Sequence, residues 1–186
     1  MPTLREKYFL QLLRMKHLFS LNSESPLRLP LKIPSAPKLL LCLPENEDYL
    51  KSVQNHLPSF RRIFAPGIIY LVVERSFEGS FAHDSIFQTL PFSKTDFSSM
   101  GVLKKPWMAQ LPKDIFLAID FNRVENLWSG YLCFSTRAPV RISLKKPRMS
   151  NFFNIILNPN QENTFQEQVT YLLQMIQAIT QTSKES

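Results

Sequence analysis

Glu45, Asn46, Glu47 and Asp48 follow directly on the apolar run KLLLCL at 38–43. Acidic side chains at the end of a buried strand and the start of a helix can serve as a general base toward a substrate hydroxyl. Asp48 is the candidate for that catalytic role, with Glu47 beside it as a substrate contact. The competing account is local: carboxylates in a first helical turn are stabilised by the helix dipole and by unpaired amides. Either way the turn repels free phosphate. It also lacks the glycines of a dinucleotide or P-loop fingerprint, and the whole chain has four glycines. No cofactor is called for.

Two further clusters could touch a ligand. Asp120 closes DIFLAIDF, and Asn122 and Arg123 follow it. A polar group at a strand's carboxyl end is well placed for ligand contact, and an Asp or Asn before a helix is equally a common cap. The segment RISLKKPRMSNFF gathers Arg141, Lys145, Lys146 and Arg148 ahead of Phe152 and Phe153. Such a cluster can hold a phosphate or a nucleic-acid backbone through charge-assisted bonds. A solvated basic loop has the same composition. The two phenylalanines belong to the strand that follows, so no stacking platform supports nucleic acid as the partner.

Other chemistries fail on spacing. His17, His56 and His83 are far apart, with no Cys or carboxylate at metal-ligand intervals. WSGYLC around Ser129 lacks the first glycine of a nucleophile elbow and reads as helix.

The elements that must position these residues alternate. Strands are expected at 38–43, 67–74, 114–121, 139–144 and 152–158, where apolar and β-branched residues concentrate. Helical spacing covers 45–57, ended or kinked by Pro58, and 122–136, with Val124, Leu127, Trp128, Tyr131 and Leu132 inward. A final helix spans 163–182. The stretch 75–113 is irregular, with room for a short strand in SIFQTLPF. Strands that alternate with helices predict an α/β, three-layer, Rossmann-like domain with a mostly parallel sheet, because parallel neighbours need crossovers. It is placed at 38–186. Residues 1–37 form a separate arm: a basic amphipathic helix at 3–20, then a linker rich in proline and serine.

The net charge is +7, and residues 1–37 carry six Lys/Arg against two Glu. The helix within 4–20 can therefore meet another protein chain or an anionic membrane surface, and packing on its own domain or on a twin subunit is the alternative the sequence favours. Cys42 and Cys133 read as small buried hydrophobes in a reducing compartment. No apolar run reaches membrane-spanning length and no signal-peptide core is present, so the location expected is cytoplasmic, peripheral to the inner face of the membrane.

With these elements placed, Lys38 to about Pro159 resembles the N-terminal, acceptor-side half of the family 9 glycosyltransferases, the heptosyltransferases of lipopolysaccharide core assembly. The resemblance lies in KLLLCLPENEDYLKSVQNHL leading to GIIYLVVE, in DIFLAIDFN, and in YLCFSTRAPVRISL. It implies that Asp48 falls on the family's catalytic aspartate and that Glu47 replaces a glycine. It also implies a missing donor half. The chain is similar, too, to short single-domain bacterial proteins with a basic N-terminal helix. The function expected is a glycosyltransferase-like domain acting as a non-catalytic binding or assembly module. One alternative is an acceptor-binding half that needs a donor domain from another chain, with Asp48 as base and Arg141 or Lys145 near an anionic acceptor; a second, resting on charge, is a nucleic-acid or anionic-membrane binding protein. Sugar or anionic ligand contacts would then include Glu47, Asp120, Asn122, Arg141 and Lys145.

Overall fold

The computed structural model describes residues 31–81, 86–99, 103–123, 127–144, 152–157 and 163–181. The expected helix at 3–20 and the basic residues Lys145, Lys146 and Arg148 lie outside them, as do His17, His83 and Val124.

Six strands form one sheet: β1 (Lys38–Cys42), β2 (Ile68–Glu74), β3 (Phe87–Phe92), β4 (Ile115–Asp120), β5 (Val140–Leu144) and β6 (Ile155–Leu157). Their order is β3-β2-β1-β4-β5-β6, and every pairing is parallel. Among the described residues five α-helices accompany them: α1 (Glu47–Gln54), α2 (Leu57–Phe64), α3 (Lys105–Met108), α4 (Leu127–Ser135) and α5 (Phe165–Gln181). This is a Rossmann-like α/β arrangement with both sheet faces covered, as the alternation of elements predicts.

The central strands are apolar throughout because their alternate side chains enter two different cores. Leu39 and Leu41 of β1 join Ile69, Leu71, Leu117 and Ile119 beneath α1, α2 and α5. Leu40 and Cys42 point the other way, with Val72 and Ala118, beneath α4 and Trp107. Each fully buried leucine contributes about 1.5–3 kcal/mol. A polar substitution on either face of β1 therefore lands in a core.

The helical run after β1 differs from expectation. Pro58 does not end one helix; it sits in the first turn of a second, α2. A proline there forfeits no backbone bond, since the first amides of a helix have no partner within it. Phe60 and Phe64 of α2 are buried. The short strand allowed in SIFQTLPF is β3, at the sheet edge, where Pro91 is tolerated because one side of the strand is unpaired.

Within the expected linker, residues 31–37 pack on the sheet domain. Leu31 is buried and its N–H donates to the Ile179 carbonyl of α5 at 2.9 Å. The Pro37 carbonyl accepts from Ile68 N–H at 3.0 Å. Gly67 lies so close that an added Cβ would collide with the Pro37 carbonyl oxygen and stand 2.7 Å from that of Phe64. Only glycine fits where these backbones meet. Among the described residues no helix is long and apolar enough to cross a membrane.

Candidate ligand crevice at the carboxyl ends of the strands

In this strand order the chain leaves β1 toward one face of the sheet and leaves β4 toward the other. The crevice between those two exits is where such sheets receive ligands. Cys42 and Asp120, the last residues of β1 and β4, are paired in register. The turns at 43–46 and 121–123 therefore face each other.

Asn46, rather than a carboxylate, caps α1: its Oδ1 accepts from Tyr49 N–H at 3.1 Å. Glu47 and Asp48 occupy the first turn, where the helix dipole favours negative charge. Glu47 pairs with Lys51 at 2.8 Å. The Lys51 hydrogen bond, and then its charge, hold the Glu47 carboxyl below its usual range; the same pair raises Lys51. Asp48 is exposed, and its carboxylate makes no hydrogen bond or ion pair among the described residues.

Two contacts cross the crevice. The Glu45 carboxylate accepts from the Trp128 indole N–H of α4 at 3.0 Å. On the other side Arg123 donates to the Tyr49 hydroxyl at 3.2 Å, with its guanidinium 5.8 Å from the Tyr49 ring centre. The Tyr49 ring packs in turn on Phe165 of α5 at 4.6 Å. Tyr49 thus joins α1, the turn after β4 and the last helix.

Asp120 is fully buried at the base of this arrangement. Its Oδ1 accepts from the backbone N–H and side-chain amide of Asn122, both at 2.9 Å, and its Oδ2 accepts from the Ser129 hydroxyl at 2.7 Å. Asn122 is itself buried. The pair organises the turn after β4 and fixes the first part of α4 to it.

Arg141 is in another place. It lies within β5, opposite Ala118 of β4, and is buried. Its guanidinium donates to the carbonyls of Phe152 and Ala138, each at 2.8 Å, and lies 5.8 Å from the Phe134 ring centre. Asn154 completes the link by accepting from the Arg141 N–H at 2.7 Å. These bonds tie the approach to β6 onto β5. The structure places Glu47 and Asp48 in the first turn of the helix after β1 and Asp120 and Asn122 at the end of the neighbouring β4, and leaves Arg141 in the layer beneath α4.

Sequence reasoning passed over Trp128, Ser129 and Tyr49 as site residues, placing Trp128 inward and Ser129 within a helix. The available signal was the indole N–H and the hydroxyls, which need acceptors when buried. At the opposite pole a groove of about 690 Å³ runs past Pro34, Met108, Leu111 and Phe116. Asp114 and Arg137 line it with positive φ angles of 61° and 54°.

No protein-family model matches the chain, and no curated protein matches it. Among solved structures it is similar to E. coli heptosyltransferase WaaC with ADP, with a TM-score of 0.60 and 14% sequence identity. The match covers 74% of this chain and 46% of that one, so the chain spans less than half the length of the enzyme it resembles. At that identity the likeness is one of fold, and the fold is glycosyltransferase-like.

Proposed function

We propose that this chain is a glycosyltransferase-like, acceptor-side domain that works as a binding or assembly module for a hydroxylated, sugar-type ligand at the carboxyl ends of β1 and β4. The carrying observation is how the crevice spends its polar groups. Asp120 already accepts three hydrogen bonds, Glu45 accepts from Trp128, and Arg123 donates to Tyr49. A carboxylate so engaged is a strut rather than a base awaiting a proton. Among the described residues, the exposed side chains of these two turns include the Asp48 carboxylate and the Arg123 guanidinium, a mix that suits hydroxyl groups better than a bare phosphate.

The test is a titration of the isotope-labelled full chain with an oligosaccharide of the lipopolysaccharide core. Saturable shifts at Asn46, Asp48, Tyr49 and Arg123, with no product when an ADP-sugar donor is added, are the expected result. Unshifted resonances up to millimolar ligand overturn the sugar-binding reading. Turnover by the chain alone overturns the non-catalytic one.

Asp48 favours a second reading. Its uncommitted carboxylate stands at the crevice mouth in a helix's first turn, the place for a base toward an acceptor hydroxyl. In that reading another chain supplies the donor domain. Transfer would appear on mixing the two chains and vanish with Asp48→Asn; transfer that survives Asp48→Asn defeats it.

A further inference from the structure

Cys42 and Cys133 are the two cysteines of the chain. They are separated by 91 positions, both are fully buried, and both are free thiols. Their Sγ atoms stand 3.7 Å apart, β1 facing α4. Small side chains explain part of this, since Ala118 and Ala138 in the same cluster let α4 lie close to the sheet. Close packing alone requires no second sulfur, however. The pairing places two nucleophiles in contact directly under the crevice. Cys42 is the last residue of β1, three before Glu45, and Cys133 lies one helical turn beyond Trp128 and Ser129.

We propose that Cys42 and Cys133 form a reactive dithiol that closes to an intrachain disulfide when hydrogen peroxide reaches it, locking α4 onto β1. One thiolate attacks the peroxide oxygen, breaking the O–O bond and leaving a sulfenic acid and one water. The second thiol attacks that sulfur, the S–O bond breaks, and a second water leaves. Two thiols are thereby oxidised by two electrons while the peroxide is reduced. Full burial limits the oxidant to a small one and makes the reaction wait for local opening of α4, a helix that contains Gly130. Once formed, the bond fixes the helix that carries Trp128 and Ser129, so the Glu45 and Asp120 contacts no longer open with it. The inference does not depend on what the crevice binds.

The experiment treats the native full chain with a modest excess of hydrogen peroxide. The product should be lighter by two hydrogen atoms and should yield one peptide pair linking Cys42 to Cys133. It should melt several degrees higher than the reduced chain, shift the Trp128 indole N–H resonance, and revert with reductant. Cys133→Ala should show neither the melting shift nor the indole shift on the same treatment, and Cys42→Ala serves equally if that variant fails to fold. Two thiols still titratable after treatment and unfolding would overturn the proposal. So would stepwise oxygen addition to separate cysteines, or linkage between two chains.

Discussion

Replacing Asp120 by alanine separates a structural carboxylate from a ligand contact. The substitution strands the Asn122 backbone N–H and the Ser129 hydroxyl, whose bonds to the carboxylate are 2.9 and 2.7 Å, in a buried setting. Hydrogen bonds to a charged group are worth about 1.5–3 kcal/mol each. Two of them give about 3–6 kcal/mol, and relief from burying the charge brings the net loss to about 2–5 kcal/mol. Against a typical stability of about 5–15 kcal/mol that is a large fraction. With a urea dependence of about 2 kcal/mol per molar, the unfolding midpoint should fall by about 1–2.5 M. Asp120→Asn keeps an acceptor for Asn122 and lets Ser129 turn its hydroxyl, so it should cost about 1–2 kcal/mol. A cycle of Asp120→Asn with Ser129→Ala should be non-additive, because the two share one bond. An alanine variant whose midpoint stays within about 0.5 kcal/mol of the parent while ligand binding disappears would refute the reasoning.

Gly67→Ala should destabilise by at least about 2 kcal/mol in a denaturant melt, because the new methyl meets backbone carbonyls that cannot rotate away. Arg141→Ala should cost about 2–5 kcal/mol by the loss of two charge-assisted bonds to buried carbonyls, again read as an unfolding midpoint; full stability with lost anion binding would make it a ligand residue instead. The Asp96 carboxyl is held below its ordinary range first by the Ser93 backbone N–H and then by the Ser93 hydroxyl. Its folded value is depressed, so its contribution to stability is present above the unfolded carboxylate range and is lost as pH falls through the folded value. Carboxyl-detected titration should show this depression, with a smaller one in Ser93→Ala; an ordinary Asp96 titration in the parent would contradict the capping box. If the expected basic helix carries the chain to an anionic surface, the full chain should sediment with anionic vesicles and deletion of residues 1–20 should abolish it; no sedimentation, or sedimentation unchanged by the deletion, would refute that expectation.

The sheet was the most legible part of the sequence. KLLLC, IIYLVVE and IFLAID are dense in apolar residues because their two faces enter two cores, and that density survives without any partner information. β3 was harder to see because an edge strand is only partly covered, and FQTLPF mixes polar residues with a proline accordingly. The missed start of α2 has a different cause: a proline marks a break in one helix and the first turn of another equally well. Within the crevice, residue type pointed to Asp48 and Asp120 but not to their different circumstances. Whether a carboxylate meets a serine nine positions on depends on the pitch of α4 against β4, which local spacing does not encode. Arg141 shows the same gap. Its neighbours in sequence suggested a basic loop, whereas strand alternation turned it inward beneath Phe134.

The bond from Leu31 to Ile179 sets a direction for the whole molecule. Leu31 leads toward the start of β1, and α5 runs back from the crevice end, where Phe165 meets Tyr49, to the far side of the sheet. The chain before residue 31 and the chain after 181 consequently depart from neighbouring points on the pole away from Glu45 and Asp48. A label or fusion attached at residue 31 or residue 181 therefore leaves the turns after β1 and β4 clear.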